Sequence, residues 1–215
     1  MLRRRYLALV VFFAMLSTLF PLAREAAAVS TGVVISQVYG GGGNSGATLK
    51  NDFIELFNRG SAAIDVSAWS VQYASMLGTS WQRTNLSGSI APGQYYLVQE
   101  AAGAGGTTNL PTPDATGTIA MSATAAKVAL LSSQTTIAGG TSCPTSGVVD
   151  LVGYGGANCF EGSGAAPTLS NTTAALRAGN GCVDTDNNPA DFTATAHRRG
   201  TARRRSGTAP TLRRR

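Results

Sequence analysis

Asn51-Asp-Phe-Ile-Glu-Leu-Phe-Asn58 alternates along its length, with Ile54 and Leu56 on one side and Phe53, Glu55 and Phe57 on the other. A period of two is what a β-strand imposes, because successive side chains leave opposite faces of a sheet. One of the two faces must therefore be core. Upstream, Thr31 to Tyr39 (TGVVISQVY) is rich in β-branched residues and ends in four glycines, which predicts a preceding strand and a Gly/Asn/Ser loop up to Lys50. Downstream, Ala68 to Ala74 places Trp69, Val71 and Tyr73 together against Ser70 and Gln72. Further strands are expected at Ser80–Thr84, Gln94–Gln99, Gly117–Met121, Lys127–Ser132, Val148–Val152 and Thr172–Arg177. With 26 glycines, only 13% charged residues and no long 3.6-residue apolar pattern, the chain reads as all-β, a sandwich or barrel of short strands.

The two ends differ from this middle. Arg3, Arg4 and Arg5 precede an apolar run from Tyr6 to Phe20, followed by Pro21 and the small residues Ala26, Ala27 and Ala28. Those are the charged, apolar and cleavage regions of a secretory signal peptide, assigned to residues 1–28. The run is shorter than the ~18–20 residues a membrane-spanning helix requires. Either the general secretory or the twin-arginine route suits it. The product is expected to be secreted or periplasmic, with no membrane attachment after cleavage. Residues 29–192 form one domain. From 193 to 215 the apolar period is lost, which predicts a disordered basic tail. The tail has the composition of a GC-rich gene read out of frame, so a frameshift near Ala194 is expected; the alternative is a basic arm attracted to nucleic acid or acidic envelope polymers.

Charge location excludes one function class. The pI of 9.7 points to a nucleic-acid binder until the 17 basic residues are placed. Twelve of them lie in the signal or the tail; between Val29 and Ala196 only Lys50, Arg59, Arg83, Lys127 and Arg177 remain, against ten acids. The folded part is acidic and lacks the clustered cations a phosphate groove needs, so nucleic-acid binding would rest on the tail.

Catalytic signatures are equally sparse. Gly41-x-Gly43-x-x-Gly46 matches a dinucleotide fingerprint in form, but a strand follows where a helix N-terminus is required. The single histidine, His197, falls in the tail, and no Gly-x-Ser-x-Gly elbow is present. No enzyme activity and no cofactor are expected. One oxygen-rich run, Asp184, Asp186, Asn188 and Asp191, is a calcium candidate. It departs from an EF-hand loop at Pro189 and Thr195, and the same residues serve as turn formers without metal. Cys143, Cys159 and Cys182 in an exported chain predict one disulfide and one spare thiol, with the pairing open.

Taken in order, five stretches resemble bacterial lamin tail domains: Val33–Tyr39; the Asp52 to Asn58 strand; Asp65-Val-Ser-Ala-Trp69; Leu86 to Gly93 with Tyr95–Val98; and Ser170–Arg177 with Asp184–Phe192. The resemblance implies an immunoglobulin-like β-sandwich and a non-catalytic binding or scaffolding role toward an unknown protein or polymer partner. It implies Ile54 and Leu56 as core, Glu55 as part of the same strand motif, Trp69 as a large buried anchor, and Asn58 and Asp65 as turn formers. Such domains often precede an extracellular nuclease or phosphatase domain, so the alternative expectation is a truncated accessory domain of such an enzyme, in which nucleic acid would be met by the missing nuclease domain.

Overall fold

The computed structural model describes residues 32–198; the segment 1–28 expected to be a signal peptide and the basic tail from 199 onward lie outside the described residues. Two sheets pack face to face. The first runs β12-β11-β1-β2-β7-β8, built from β1 (Val33–Tyr39), β2 (Asn51–Asn58), β7 (Tyr95–Ala102), β8 (Ala115–Thr116), β11 (Thr173–Arg177) and β12 (Phe192–Ala196). The second runs β10-β9-β4-β5, from β4 (Ser70–Ser75), β5 (Gln82–Asn85), β9 (Ala126–Leu131) and β10 (Val148–Tyr154). A small ribbon pairs β3 (Ile64–Asp65) with β6 (Ser89–Ile90). Two single turns, α1 (Ala178–Gly181) and α2 (Asn188–Asp191), link β11 to β12.

The alternation in β2 decides the layers. Ile54 and Leu56 enter the core between the sheets with Ile35, Val71, Val128 and Phe192. Each such buried side chain contributes about 1.5–3 kcal/mol by leaving water. The opposite face of β2 is buried as well. Phe53 packs there with Tyr39, Leu97 and Leu176, so both faces of the strand are apolar layers.

Three expectations change. Gly117–Met121 is not a strand, because its amides are claimed by side chains: Ile119 N–H donates to Glu100 and Met121 N–H to Asp52. Ser70 and Gln72, on the other face of β4 from Val71 and Tyr73, are fully buried beneath residues 133–137, whose Ser133 and Thr135 carbonyls accept their side chains. Trp69 is half-buried against the core rather than enclosed by it. The sandwich does not end at Phe192: β12 extends it to Ala196, in unbroken register from Arg177↔Phe192 to Thr173↔Ala196. Backbone pairing supplies that order, with Phe192 as its one buried anchor, so no apolar period is needed. His197 then packs on Tyr39 and Phe53, and Gln37 holds Arg198 through both its N–H and its carbonyl.

The loops over the second sheet are pinned at one node. Lys127 is fully buried, and its ammonium donates to Gly78 O, Ser142 O and Asn158 Oδ1, one acceptor from each of three loops. It also lies 5.4 Å from the Trp81 ring. The Cys143–Cys159 disulfide, with Cα atoms 5.1 Å apart, ties two of these loops covalently, and Cys182 is free and exposed. Closing a loop of this 16-residue separation is worth about 3 kcal/mol in the chain-entropy model. Urea unfolding with reductant is therefore expected to show a loss of that order, reproduced by Cys143→Ser and absent in Cys182→Ser; equal stability with and without reductant would contradict the role given to the bond.

Candidate functional site

The acidic run singled out in the sequence leads to a buried guanidinium. Arg177 ends β11 and is 1% exposed. β11 pairs with β1 only at Gln37 and Val38, so on that side the backbone at Ile35 has no strand partner. Side chains take the vacant place. Arg177 Nε donates to Ile35 O at 2.8 Å, and Ile35 N–H donates to Asp150 Oδ2 at 2.6 Å. Arg177 Nη2 donates to both oxygens of Asp150, at 2.9 and 2.7 Å. Because Asp150 lies on β10 and Arg177 on β11, this bond ties one sheet to the other.

The remaining donors reach the acidic run. Arg177 Nη1 meets Asp184 Oδ1 at 2.9 Å, Asp191 Oδ2 at 3.3 Å and Val183 O at 3.2 Å, and its Cζ lies 4.4 Å from the centroid of the Phe192 ring. Arg59 adds a second cation, 3.3 Å from Asp184 Oδ2. Asp191 also accepts from Thr185 N–H and Thr185 Oγ1, which folds the run into a turn. Asp186 sits at φ 51°, in the left-handed region that Asp tolerates in turns.

Asn188 does something different. Its amide faces β10, donating to Leu151 O at 2.9 Å and accepting from Gly153 N–H at 2.8 Å. Glu161 accepts from Leu151 N–H at 3.1 Å and from Asn188 Nδ2 at 3.2 Å. The four residues of the calcium candidate therefore do not share one centre: Asp184 and Asp191 meet at Arg177, Asp186 lies at the turn, and Asn188 caps a strand edge. Asp150, Glu161 and Asp184 do bring carboxylate oxygens within 4.8 Å of one another, and Arg177 bonds two of those three groups.

Burial pushes the Glu161 carboxyl up to about 9, helped by the neighbouring charge of Asp150. It is neutral at pH 7, which spares the cage a further negative charge. A second buried carboxyl stands at one end of the sandwich. Asp52 accepts from Gly42 N–H and Met121 N–H, both at 2.8 Å, and so joins the glycine loop to residues 117–125. Burial raises its pKa to about 7.

The other motif residues hold loops. Asn58 accepts from Gly60 N–H and donates to Ala62 O and Ile90 O, fixing the turn after β2. Asp65 accepts from Ser67 N–H at the exposed start of the next turn. Glu55 is buried on the outer face, where Ser36 Oγ, at the β1 bulge, donates to it at 2.8 Å. Arg177, Asp150, Glu161 and Lys127 escaped the motif search. The available signal was a lone arginine closing the apolar strand TAALR in a domain with five cations.

Both raised carboxyls make stability depend on pH with one sign. An acid whose folded pKa lies above its unfolded value favours the folded state fully below the unfolded pKa, and that contribution is lost as pH rises through the folded pKa. Asp52 acts from about pH 4 to about 7 and Glu161 from about pH 4.5 to about 9. Unfolding free energy is expected to fall between pH 5 and 9. In Glu161→Gln, denaturant titrations are expected to show the decline above pH 7 flattened; a slope there equal to that of the wild type would contradict the assignment.

A lamin tail domain family model matches residues 26–156, more than half of the 215-residue chain. A search of curated proteins found no match. The matched stretch holds β1 to β10 together with Asp150, while Arg177, Asp184, Asp191 and the last two strands lie beyond it. An all-β sandwich, a match over most of its strands and a non-catalytic, immunoglobulin-like family agree: the chain belongs to the lamin tail domain family.

Proposed function

We propose that this protein is an exported, non-catalytic binding or scaffolding module. The observation that carries the reading is how its ionisable groups are used. Asp150, Asp184 and Asp191 bind one guanidinium, Asp52 and Glu100 accept loop amides, and Lys127 gathers three loop acceptors. These groups are spent on holding loops and sheets in place, which is the demand on a scaffold. Family membership supports the same reading. So does the disulfide, a bond at home in oxidising compartments. No helix among the described residues is long and apolar enough to cross a membrane.

The loop that covers the second sheet offers a surface suited to such a role. An open concavity of about 540 Å³ lies there, with Leu131, Ile137 and Pro144 beside the hydroxyls of Ser133, Thr136 and Thr145. No charged side chain lines it, so it suits a neutral partner surface.

Expression of the full chain in a bacterial host is expected to yield a product beginning near Val29 outside the cytoplasm. Once immobilised, that product is expected to retain a component of envelope or matrix extracts. A product that keeps residues 1–28 inside the cell, or one that retains nothing, would overturn the proposal.

A further inference from the structure

The outer face of the first sheet has no second sheet packed on it, yet its middle is closed to solvent. One cross-strand row runs through Leu176, Gln37, Glu55 and Leu97, on β11, β1, β2 and β7. All four are buried, and Glu55 is only 3% exposed. The neighbouring row sets Tyr39 beside Phe53. Loops cover the two sides of this face. Leu110 packs on the cluster of Tyr39, Phe53 and Leu97, and the α1 turn lies against Ser36 and Phe57, where Tyr95 Oη donates to Asn180 O.

Between those covers runs the chain that leaves β12. His197 turns back over the sheet and packs on Tyr39 and Phe53. Arg198 comes next, at the following row: its N–H donates to Gln37 Oε1 at 2.8 Å and its carbonyl accepts from Gln37 Nε2 at 3.3 Å. The Arg198 side chain is exposed and donates to Asn180 Oδ1. The chain therefore steps from the row of Tyr39 and Phe53 to the row of Gln37 and Glu55, and the described residues end there.

We propose that Arg199 lays its guanidinium on Glu55, so that residues 197–199 form a strap closing the outer face of the first sheet. Alternation sets the direction. In an extended segment every second residue faces the same way, and His197 faces the sheet while Arg198 faces solvent, which turns Arg199 to the sheet. Spacing sets the place. Residues 197 and 199 stand about 6.6 Å apart when extended, the same step that separates Phe53 from Glu55 along β2. Charge selects the occupant, because a carboxylate out of water is kept by a cation. Arg59, Arg83, Lys127 and Arg177 are engaged at Asp184, Gln134, the second-sheet loops and Asp150. Lys50 stands five residues before Glu55, about 16 Å along an extended strand. Arg199 is the first cation after the anchored Arg198 backbone. The strap makes Arg199 part of the fold and sets it apart from the run Arg203 to Arg205, which is left to carry any attraction to polyanions.

Trypsin digestion of the exported full chain under native conditions, read by mass spectrometry, tests this. In the wild type the bond after Arg199 is expected to resist while the bonds after Arg203, Arg204 and Arg205 are cut. Cleavage follows the population of the opened strap, so Glu55→Gln is expected to speed the cut after Arg199 about tenfold or more, the factor carried by one bond to a charged group. Urea unfolding gives a second readout. Glu55→Gln and Arg199→Gln are each expected to lower the midpoint, and the double variant to fall short of their sum, because both remove one interaction. A wild-type bond after Arg199 that is cut as fast as those after Arg203 to Arg205 would overturn the proposal, and that result needs no variant to fold. An unchanged rate in Glu55→Gln, or losses that add in the double variant, would overturn it as well.

Discussion

Where β11 stops short of β1, the Arg177 guanidinium stands in for the missing strand. It donates to the Ile35 carbonyl while Asp150 accepts the Ile35 amide, and the two side chains clasp each other across the gap between sheets. Most of the second half of the chain answers to that bond. Asp184 and Asp191 must come to the same point, so the segment between β11 and β12 folds into a tight turn and Phe192 is laid over the guanidinium. That turn in turn sends Asn188 to the edge of β10 and starts β12 beside β11. Removing a buried charge that satisfies several others costs about 3–5 kcal/mol, because its partners are left unpaired out of water.

The acidic balance of the folded domain looks different in this light. Five of its ten acids, Asp150, Glu161, Asp184, Asp186 and Asp191, gather around Arg177, where burial and mutual repulsion hold Glu161 neutral. Two more, Asp52 and Glu100, close the end of the sandwich by accepting loop amides. The negative charge is an internal fastening system more than a surface property. Lys127 plays the matching part on the second sheet, and the Cys143–Cys159 bond fixes the loops that it gathers.

The strands of the first half were legible because they depend on local alternation. The period of two in β2 required one face to be core and did not say which; the structure buries both, Ile54 and Leu56 between the sheets and Phe53 on the outer side. The errors share a physical cause: polar side chains that satisfy backbone groups leave no period in the sequence. Gly117–Met121 looks like a strand, yet its amides bond Glu100 and Asp52. Nothing in the alternation of β4 marks the loop more than sixty residues away that covers Ser70 and Gln72. The oxygen-rich run was legible as a cluster, but its organising cation was not, because Arg177 sits on a strand that the alternation treats as ordinary. β12 was hidden by composition, since Thr and Ala give no apolar signal and order there comes from pairing.

A family defined by a sandwich with variable loops can serve as a binding module when its loops are held still, and here they are held by buried ion pairs, one buried ammonium and one disulfide. The Ile35 amide reports on the first of these directly. It has no strand partner on the β11 side, so its protection from solvent depends on Asp150 and Arg177 alone. Native-state hydrogen exchange across a denaturant series is therefore the decisive measurement. The Ile35 amide should exchange only through global unfolding, with the free energy and denaturant slope of the whole domain. Exchange of that amide through a low-energy local opening, at the level of the β12 edge, would contradict a fold fastened at Arg177.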